Sequence, residues 1–183
     1  MEMLLNANAD VNVADVYGDT PLFFASSKGY STIVELLLNA NADVNVANAN
    51  GYTPLYMASK KGHLTIVEML VNANADVNIA EIYNGWTPLY IACNEGHSAI
   101  VEMLVNGNAD VNFADEYGVT PLYAASSGRH STIVEMLLNA NADVNIANKN
   151  GYTPLNMASM IGDSTIVELL LNANGDVNVA NKY

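Results

Sequence analysis

The stretch that decides the fold is residues 48–80, which read NANGYTPLYMASKKGHLTIVEMLVNANADVNIA. Its string Gly-x-Thr-Pro-Leu occurs five times in the 183-residue chain, at offsets of 33, 34, 33 and 33 residues. The copies start at Gly18, Gly51, Gly85, Gly118 and Gly151. The strings Ile-Val-Glu and Asp-Val-Asn keep the same period, which is typical of proteins built from repeated supersecondary units.

The period divides the chain into five full units, which we number 1 to 5: residues 15–47, 48–80, 81–114, 115–147 and 148–180. A partial unit, residues 1–14, precedes them, and residues 181–183 start a further one. One extra residue lies between Ile79 and Gly85, and the later units keep their register. We interpret it as a loop insertion.

Unit 2 predicts two short helices. Thr53 and Pro54 are suited to the N-cap and first position of a helix that runs to about Lys60 and ends at Gly62. A second helix is predicted over residues 64–72, where apolar residues follow a helical stripe. Asparagine, which tolerates left-handed backbone, follows that helix in every full unit, at Asn41, Asn74, Asn108, Asn141 and Asn174.

The polar stretch between units predicts a hairpin-like finger. Asn50-Gly51, Asn84-Gly85 and Asn150-Gly151 are dipeptides that favour tight turns. Helices of this length are too short to persist alone in water. Stability is therefore expected to come from stacking each unit on the next.

These strings, in this order, resemble the ankyrin repeat family over essentially the whole chain. The resemblance implies an all-α fold, an ankyrin-repeat solenoid of stacked helix–loop–helix units whose β-hairpin-like fingers project toward a concave groove. Two columns depart from the family pattern. The glycine before Ala-Asp-Val-Asn is asparagine, and the histidine after Thr-Pro-Leu is replaced by Phe23, Tyr56, Tyr90, Tyr123 and Asn156.

The net charge of −13 argues against binding to the phosphate backbone of nucleic acids. Twelve of the 19 acidic residues fall in two repeating columns, the glutamates of Ile-Val-Glu with Glu2 and the aspartates of Asp-Val-Asn. We therefore interpret the charge as a solvated acidic scaffold that supports solubility rather than as bait for a basic partner. With no signal peptide and no apolar run of membrane-spanning length, a soluble intracellular protein is expected.

No catalytic site or cofactor is predicted. His63, His97 and His130 share one column, but stacked helices lie roughly 8–10 Å apart, too far for these side chains to share a metal ion. We interpret them as packing residues of the loop between helices. Cys93 occupies a column otherwise filled by serine, with no base placed to activate it.

Columns that vary between units are the candidates for recognition, since fixed columns build the scaffold. By resemblance to the family, the variable finger and first-helix positions contact a partner protein or peptide. The predicted partner-binding residues are Tyr17, Asp19, Tyr52, Lys60, Lys61, Tyr83, Trp86, Glu95, Tyr117, Val119 and Tyr152. One aromatic row is expected from Tyr52, Tyr83, Trp86, Tyr117 and Tyr152. Such a row favours a binding role, because tyrosine and tryptophan dominate interface hot spots.

Two alternatives stay open for these residues and for the chain. The aromatic row could instead cover neighbouring fingers, whereas Tyr56, Tyr90 and Tyr123 are interpreted as structural. Neither end of the sequence carries a polar capping unit, so a structural spacer or a segment that self-assembles through its ends is the second hypothesis. A piece of a longer array is favoured over a seamless filament, because joining Tyr183 to Met1 omits an entire first helix.

Overall fold

The computed structural model describes residues 10–178, which fold into stacked pairs of α-helices. The first helices of units 1 to 5 are α1 (Pro21–Lys28), α3 (Pro54–Lys61), α5 (Pro88–Glu95), α7 (Pro121–Ser127) and α9 (Pro154–Ile161). The second helices are α2 (Ser31–Asn39), α4 (Leu64–Asn72), α6 (Ser98–Asn106), α8 (Ser131–Asn139) and α10 (Ser164–Asn172). No strand occurs within residues 10–178, and the predicted all-α solenoid is confirmed.

Each first helix begins at the threonine and proline that the sequence indicated. The Thr53 hydroxyl accepts a hydrogen bond from the Tyr56 N–H at 3.1 Å, and Pro54 takes the first helical position. Gly62 ends α3 with φ of 75°. The five asparagines predicted to end the second helices also have φ between 61° and 64°, as required by left-handed backbone.

The core lies between the two helix layers and between successive units. Each first helix contacts the first helix of the next unit and its own second helix, and second helices contact one another in the same way. The Leu of Thr-Pro-Leu and the Leu near the end of each second helix are almost fully buried throughout, as in Leu55 and Leu70 at 0% exposure. Burial of one such side chain contributes about 1.5–3 kcal/mol, and it requires the neighbouring unit.

The junctions between units 1 to 4 share a contact between glycine and histidine. A Cβ added to Gly96 would lie 2.6 Å from the His130 ring, and Gly29 and Gly62 meet His63 and His97 similarly. The Nε2 atom of His97 also lies 3.4 Å from the Lys60 carbonyl oxygen. These contacts agree with the packing interpretation of the histidines.

The junction between units 4 and 5 replaces both partners of that contact. Arg129 occupies the glycine column with φ of 60°, while Gly128 is right-handed. Asp163 occupies the histidine column and caps α10 by accepting the Ile166 N–H at 3.1 Å. The Arg129 guanidinium donates to the Ile161 carbonyl of unit 5. Without the histidine ring there is room for a side chain in this column.

The Asp-Val-Asn column forms a ladder of hydrogen bonds along the solenoid. The Asp43 carboxylate accepts the Asn45 N–H at 2.9 Å, and the Asn45 carbonyl oxygen of the side chain accepts the Asp76 N–H at 2.8 Å. Equivalent bonds join Asn12 to Asp43, Asn78 to Asp110, Asn112 to Asp143 and Asn145 to Asp176. The asparagine side chains therefore link successive units, while the aspartate carboxylates hold the turn within each unit.

None of the helices within residues 10–178 is long and apolar enough to cross a membrane.

Candidate functional site

The fingers are tight turns held by one side chain each, which we call the anchor. In unit 2 the Asn48 side-chain oxygen accepts the N–H groups of Asn50 and Tyr52, both at 3.0 Å. The Asn48 N–H and the Tyr52 carbonyl close the turn at 3.0 Å. Asp15, Asp115 and Asn148 anchor the fingers of units 1, 4 and 5 in the same way.

The finger of unit 3 contains the extra residue and has a glutamate as its anchor. Glu81 is 2% exposed, and its carboxylate accepts the N–H groups of Tyr83, Asn84 and Trp86 at 2.9, 2.7 and 3.3 Å. Burial by itself raises the pKa of Glu81, but these backbone donors outweigh it and the pKa is lowered. The longer side chain thus matches the longer turn.

Successive fingers are joined through their backbones. The residue after each anchor in units 2 to 5 donates its N–H to a carbonyl oxygen at the tip of the preceding finger, at 2.8–3.3 Å. These residues are Ala49, Ile82, Glu116 and Lys149. Side chains add to these links, since Tyr83 donates its hydroxyl to the Asn50 side-chain oxygen at 3.1 Å. The fingers therefore form one continuous surface rather than five independent loops.

The first row of that surface is the finger-tip row, the two residues that follow each anchor. In units 1, 3 and 4 it exposes large apolar side chains: Val16 at 92%, Tyr17 at 68%, Ile82, Tyr83 and Tyr117 at 59% each. Val16 and Ile82 were not among the sequence candidates. Their column varies more than the tyrosine column beside it, with Ala49, Glu116 and Lys149 in the other units, and that variation could have identified them.

The second row is the inner-face row, built from the residue just before each first helix and the residues four and eight positions later, which lie along one face of that helix. In unit 2 the rings of Tyr52 and Tyr56 stack with centroids 4.9 Å apart, and Lys60 follows one turn later. In unit 3 Trp86 stacks on Tyr90 at 5.2 Å and donates its indole N–H to Asp115 at 3.1 Å. The Tyr56 and Tyr90 rings, which are 1% and 8% exposed, support the residues above them.

The structure places the predicted aromatic residues in two rows rather than one. Tyr17, Tyr83 and Tyr117 are exposed in the finger-tip row, whereas Tyr52, Trp86 and Tyr152 are half-buried in the inner-face row. Of the remaining candidates, Lys61 and Glu95 are exposed at helix ends, and Lys60 and Val119 are half-buried. The Asp19 carboxylate accepts the Asn48 side-chain N–H at 2.7 Å, so it also links two fingers.

The groups that could carry chemistry are buried or dispersed. Cys93 is fully buried, and burial raises the pKa of its thiol; a protonated thiol is a poor nucleophile. Burial, together with the nearby Asp115, raises the pKa of Tyr90 to about 12. Within residues 10–178 no group of three or more His, Cys, Asp or Glu residues is placed to hold a metal ion.

Comparison with protein families gives matches along most of the chain. The family model described as Ankyrin repeats (3 copies) matches residues 1–81 and 79–148. The model described as Ankyrin repeat matches residues 150–182. No curated protein gives a significant match.

Proposed function

Because the chain belongs to the ankyrin repeat family, whose repeats generally serve as protein–protein interaction modules, we propose that it binds a partner protein or peptide across its fingers and first helices. Ankyrin repeat proteins are typically non-catalytic, and the role proposed here is recognition rather than a reaction. The finger-tip row and the inner-face row supply the contact surface.

The observation that carries this proposal is the exposure of large apolar side chains on a backbone-bonded surface. Val16, Tyr17, Ile82 and Tyr83 are each 59% exposed or more. Anchors or neighbouring fingers hold the backbones of Tyr17, Ile82 and Tyr83. Exposed tyrosine combines contact area with a polar hydroxyl at little conformational cost, because the ring has few rotatable bonds. A fixed surface also avoids the entropy cost of ordering loops on binding.

A selection from random 12-residue peptides displayed on phage tests this proposal. The wild-type chain is compared with a finger variant that carries Tyr17→Ser, Tyr83→Ser and Tyr117→Ser. The matched control carries Tyr30→Ser, Leu64→Ser and Leu171→Ser, which removes three exposed apolar side chains outside the fingers. Peptides enriched on the wild type are expected to bind the control equally well and the finger variant at least ten-fold more weakly, since hot-spot residues each contribute about 1–2 kcal/mol or more.

Circular dichroism and urea unfolding of all three proteins check that the substitutions leave the fold intact. Equal binding by the finger variant and the wild type contradicts the proposal. So does the absence of any peptide enriched on the wild type.

A further inference from the structure

Basic residues are concentrated at one place on this acidic chain. Three of its six Lys and Arg residues lie at the C-terminal ends of two adjacent first helices. Lys28 is the last residue of α1, and Lys60 and Lys61 are the last two residues of α3. Helices in contact, as α1 and α3 are, lie roughly 8–10 Å apart. The three lysines therefore lie at neighbouring helix ends and define one basic region, which we call the helix-end patch.

Helix stability does not account for the helix-end patch. A cation in the last turn of a helix contributes about 0.3–1 kcal/mol through the helix dipole. However, α5, α7 and α9 have no basic residue in their last turns and form helices of nearly the same length. The lysines are thus a property of units 1 and 2 rather than of the scaffold.

Within units 1 and 2 no acidic residue shares the first helices with this patch, and Glu95 at the end of α5 marks its edge. The two repeating acidic columns lie on the second helices and in the Asp-Val-Asn turns. Charges beyond about 8 Å are largely screened at physiological ionic strength. The patch ends in unit 3, where Glu95 occupies the column of Lys28 and Lys61.

The helix-end patch and the apolar finger tips lie at opposite ends of the same first helices. The eight residues of α3 span about 12 Å. Tyr52, just before the helix, stacks on Tyr56, and Lys60 follows one turn later toward the patch. An extended peptide advances about 3.3 Å per residue. Roughly four residues therefore span the helix alone, and a side chain on the finger tips lies at least that far from one on the patch.

We propose that the segment bound over units 1 and 2 is an acidic peptide. Its carboxylates pair with Lys28, Lys60 and Lys61, and an aliphatic or aromatic side chain at least about four residues away packs against Val16 and Tyr17. The net charge of −13 alone would favour a basic partner, whereas the helix-end patch favours an acidic one. The acidic partner rests on the proposed function and specifies what binds to the same surface.

The test repeats the selection with random 12-residue phage-displayed peptides on the wild type and on a variant that carries Lys28→Gln, Lys60→Gln and Lys61→Gln. A charge-matched control carries Ala99→Glu, Thr132→Glu and Thr165→Glu, which are exposed positions in the first turns of α6, α8 and α10. Both variants lower the net charge by the same amount. Peptides enriched on the wild type are expected to be rich in Asp and Glu, with an apolar residue at least about four positions away.

A fluorescein-labelled synthetic copy of the most enriched peptide then gives affinities by fluorescence anisotropy. We expect binding about ten-fold weaker to the lysine variant and unchanged to the charge-matched control. Exposed ion pairs each contribute modestly, so about ten-fold is the scale for three of them.

The possible results separate this inference from the proposed function. The acidic partner is contradicted if the enriched peptides are basic or neutral, or if the lysine substitutions leave the affinity unchanged. The proposed function still stands in that case if the finger variant loses binding. The absence of any enriched peptide overturns both. If the charge-matched control loses binding as much as the lysine variant does, overall charge explains the effect. That result contradicts a role for the helix-end patch in binding.

Discussion

The fingers of units 2 and 3 perform the same task with different chemistry. In unit 2 a neutral, half-buried Asn48 accepts two backbone N–H groups across residues 48–52. In unit 3 the turn covers residues 81–86, and the buried carboxylate of Glu81 accepts three. An insertion of one residue would otherwise leave N–H groups without acceptors inside the finger, where each unsatisfied donor costs about 1–3 kcal/mol.

This difference shows that the insertion and its anchor form one structural feature. Glutamate has one more methylene than aspartate, and the turn has one more residue to reach across. The longer finger also carries both apolar tip residues, Ile82 and Tyr83, and places Trp86 on Tyr90. The anchor therefore positions the candidate binding surface as well as closing the turn.

Replacement of the unit 3 anchor is expected to have the largest effect. Glu81→Ala removes the acceptor of three N–H groups, and we expect the free energy of unfolding to fall by about 3 kcal/mol. Asn48→Ala removes a neutral acceptor of two N–H groups and is expected to cost about 1 kcal/mol. Urea unfolding followed by circular dichroism measures both; a cost for Glu81→Ala no greater than that for Asn48→Ala would contradict the comparison.

The match between anchor length and turn length can be tested by converting one finger into the other. Glu81→Asp alone shortens the reach of the carboxylate, and we expect a loss of about 1–2 kcal/mol. Combined with deletion of Asn84, it gives Asp-Ile-Tyr-Gly-Trp, the pattern of Asp115-Glu-Tyr-Gly-Val in unit 4. The deletion and the substitution should each destabilise the chain alone and partly compensate together. Additive losses in the double-mutant cycle would show that the two features are independent.

Sequence reasoning located the helices of this protein well, because their boundaries are encoded locally. The helices of unit 2 were predicted over residues 54–60 and 64–72 and are found at Pro54–Lys61 and Leu64–Asn72. Thr53, Pro54 and Gly62 fix these limits through backbone conformation and capping alone. Such signals require no knowledge of neighbouring units.

The contacts between units are harder to predict from the sequence. The side chain of Asn45 accepts the N–H of Asp76, 31 residues away, and a repeated column shows only that such a residue is needed. The division of the aromatic candidates into two rows follows from residues such as Tyr52 stacking on the next turn of the first helix. The anchor role of Glu81 could have been predicted, since carboxylates commonly accept nearby backbone N–H groups in turns. The alternation of Asp, Asn and Glu in its column conceals the shared role of these residues.

The charge of the unit 3 anchor predicts a pH dependence that the unit 2 anchor lacks. The pKa of Glu81 is lower in the folded chain than its ordinary value of 4.5. Its contribution is therefore fully present above pH 4.5 and is lost as the pH falls through the lower, folded pKa. Glu81→Gln should be less stable than the wild type at pH 7, and the difference should narrow below pH 4.5. Asn48→Ala provides the reference, because its cost should be independent of pH; a Glu81→Gln cost that is constant from pH 7 to pH 3.5 would refute the prediction.

The smallest expected difference in stability between units 2 and 3 concerns Tyr52 and Trp86, the aromatic residues that follow the two finger turns. Tyr52 and Trp86 lie just before their first helices and each stacks on the tyrosine four residues later, but only the Trp86 indole is seen to bond to the next finger, through Asp115. Trp86→Phe keeps most of the stacking and removes that bond, at an expected cost of about 1 kcal/mol. Tyr52→Phe keeps the ring and is expected to change stability by less than about 0.5 kcal/mol. Equal effects in urea unfolding would mean that stacking, rather than the bond to Asp115, holds Trp86 in the inner-face row.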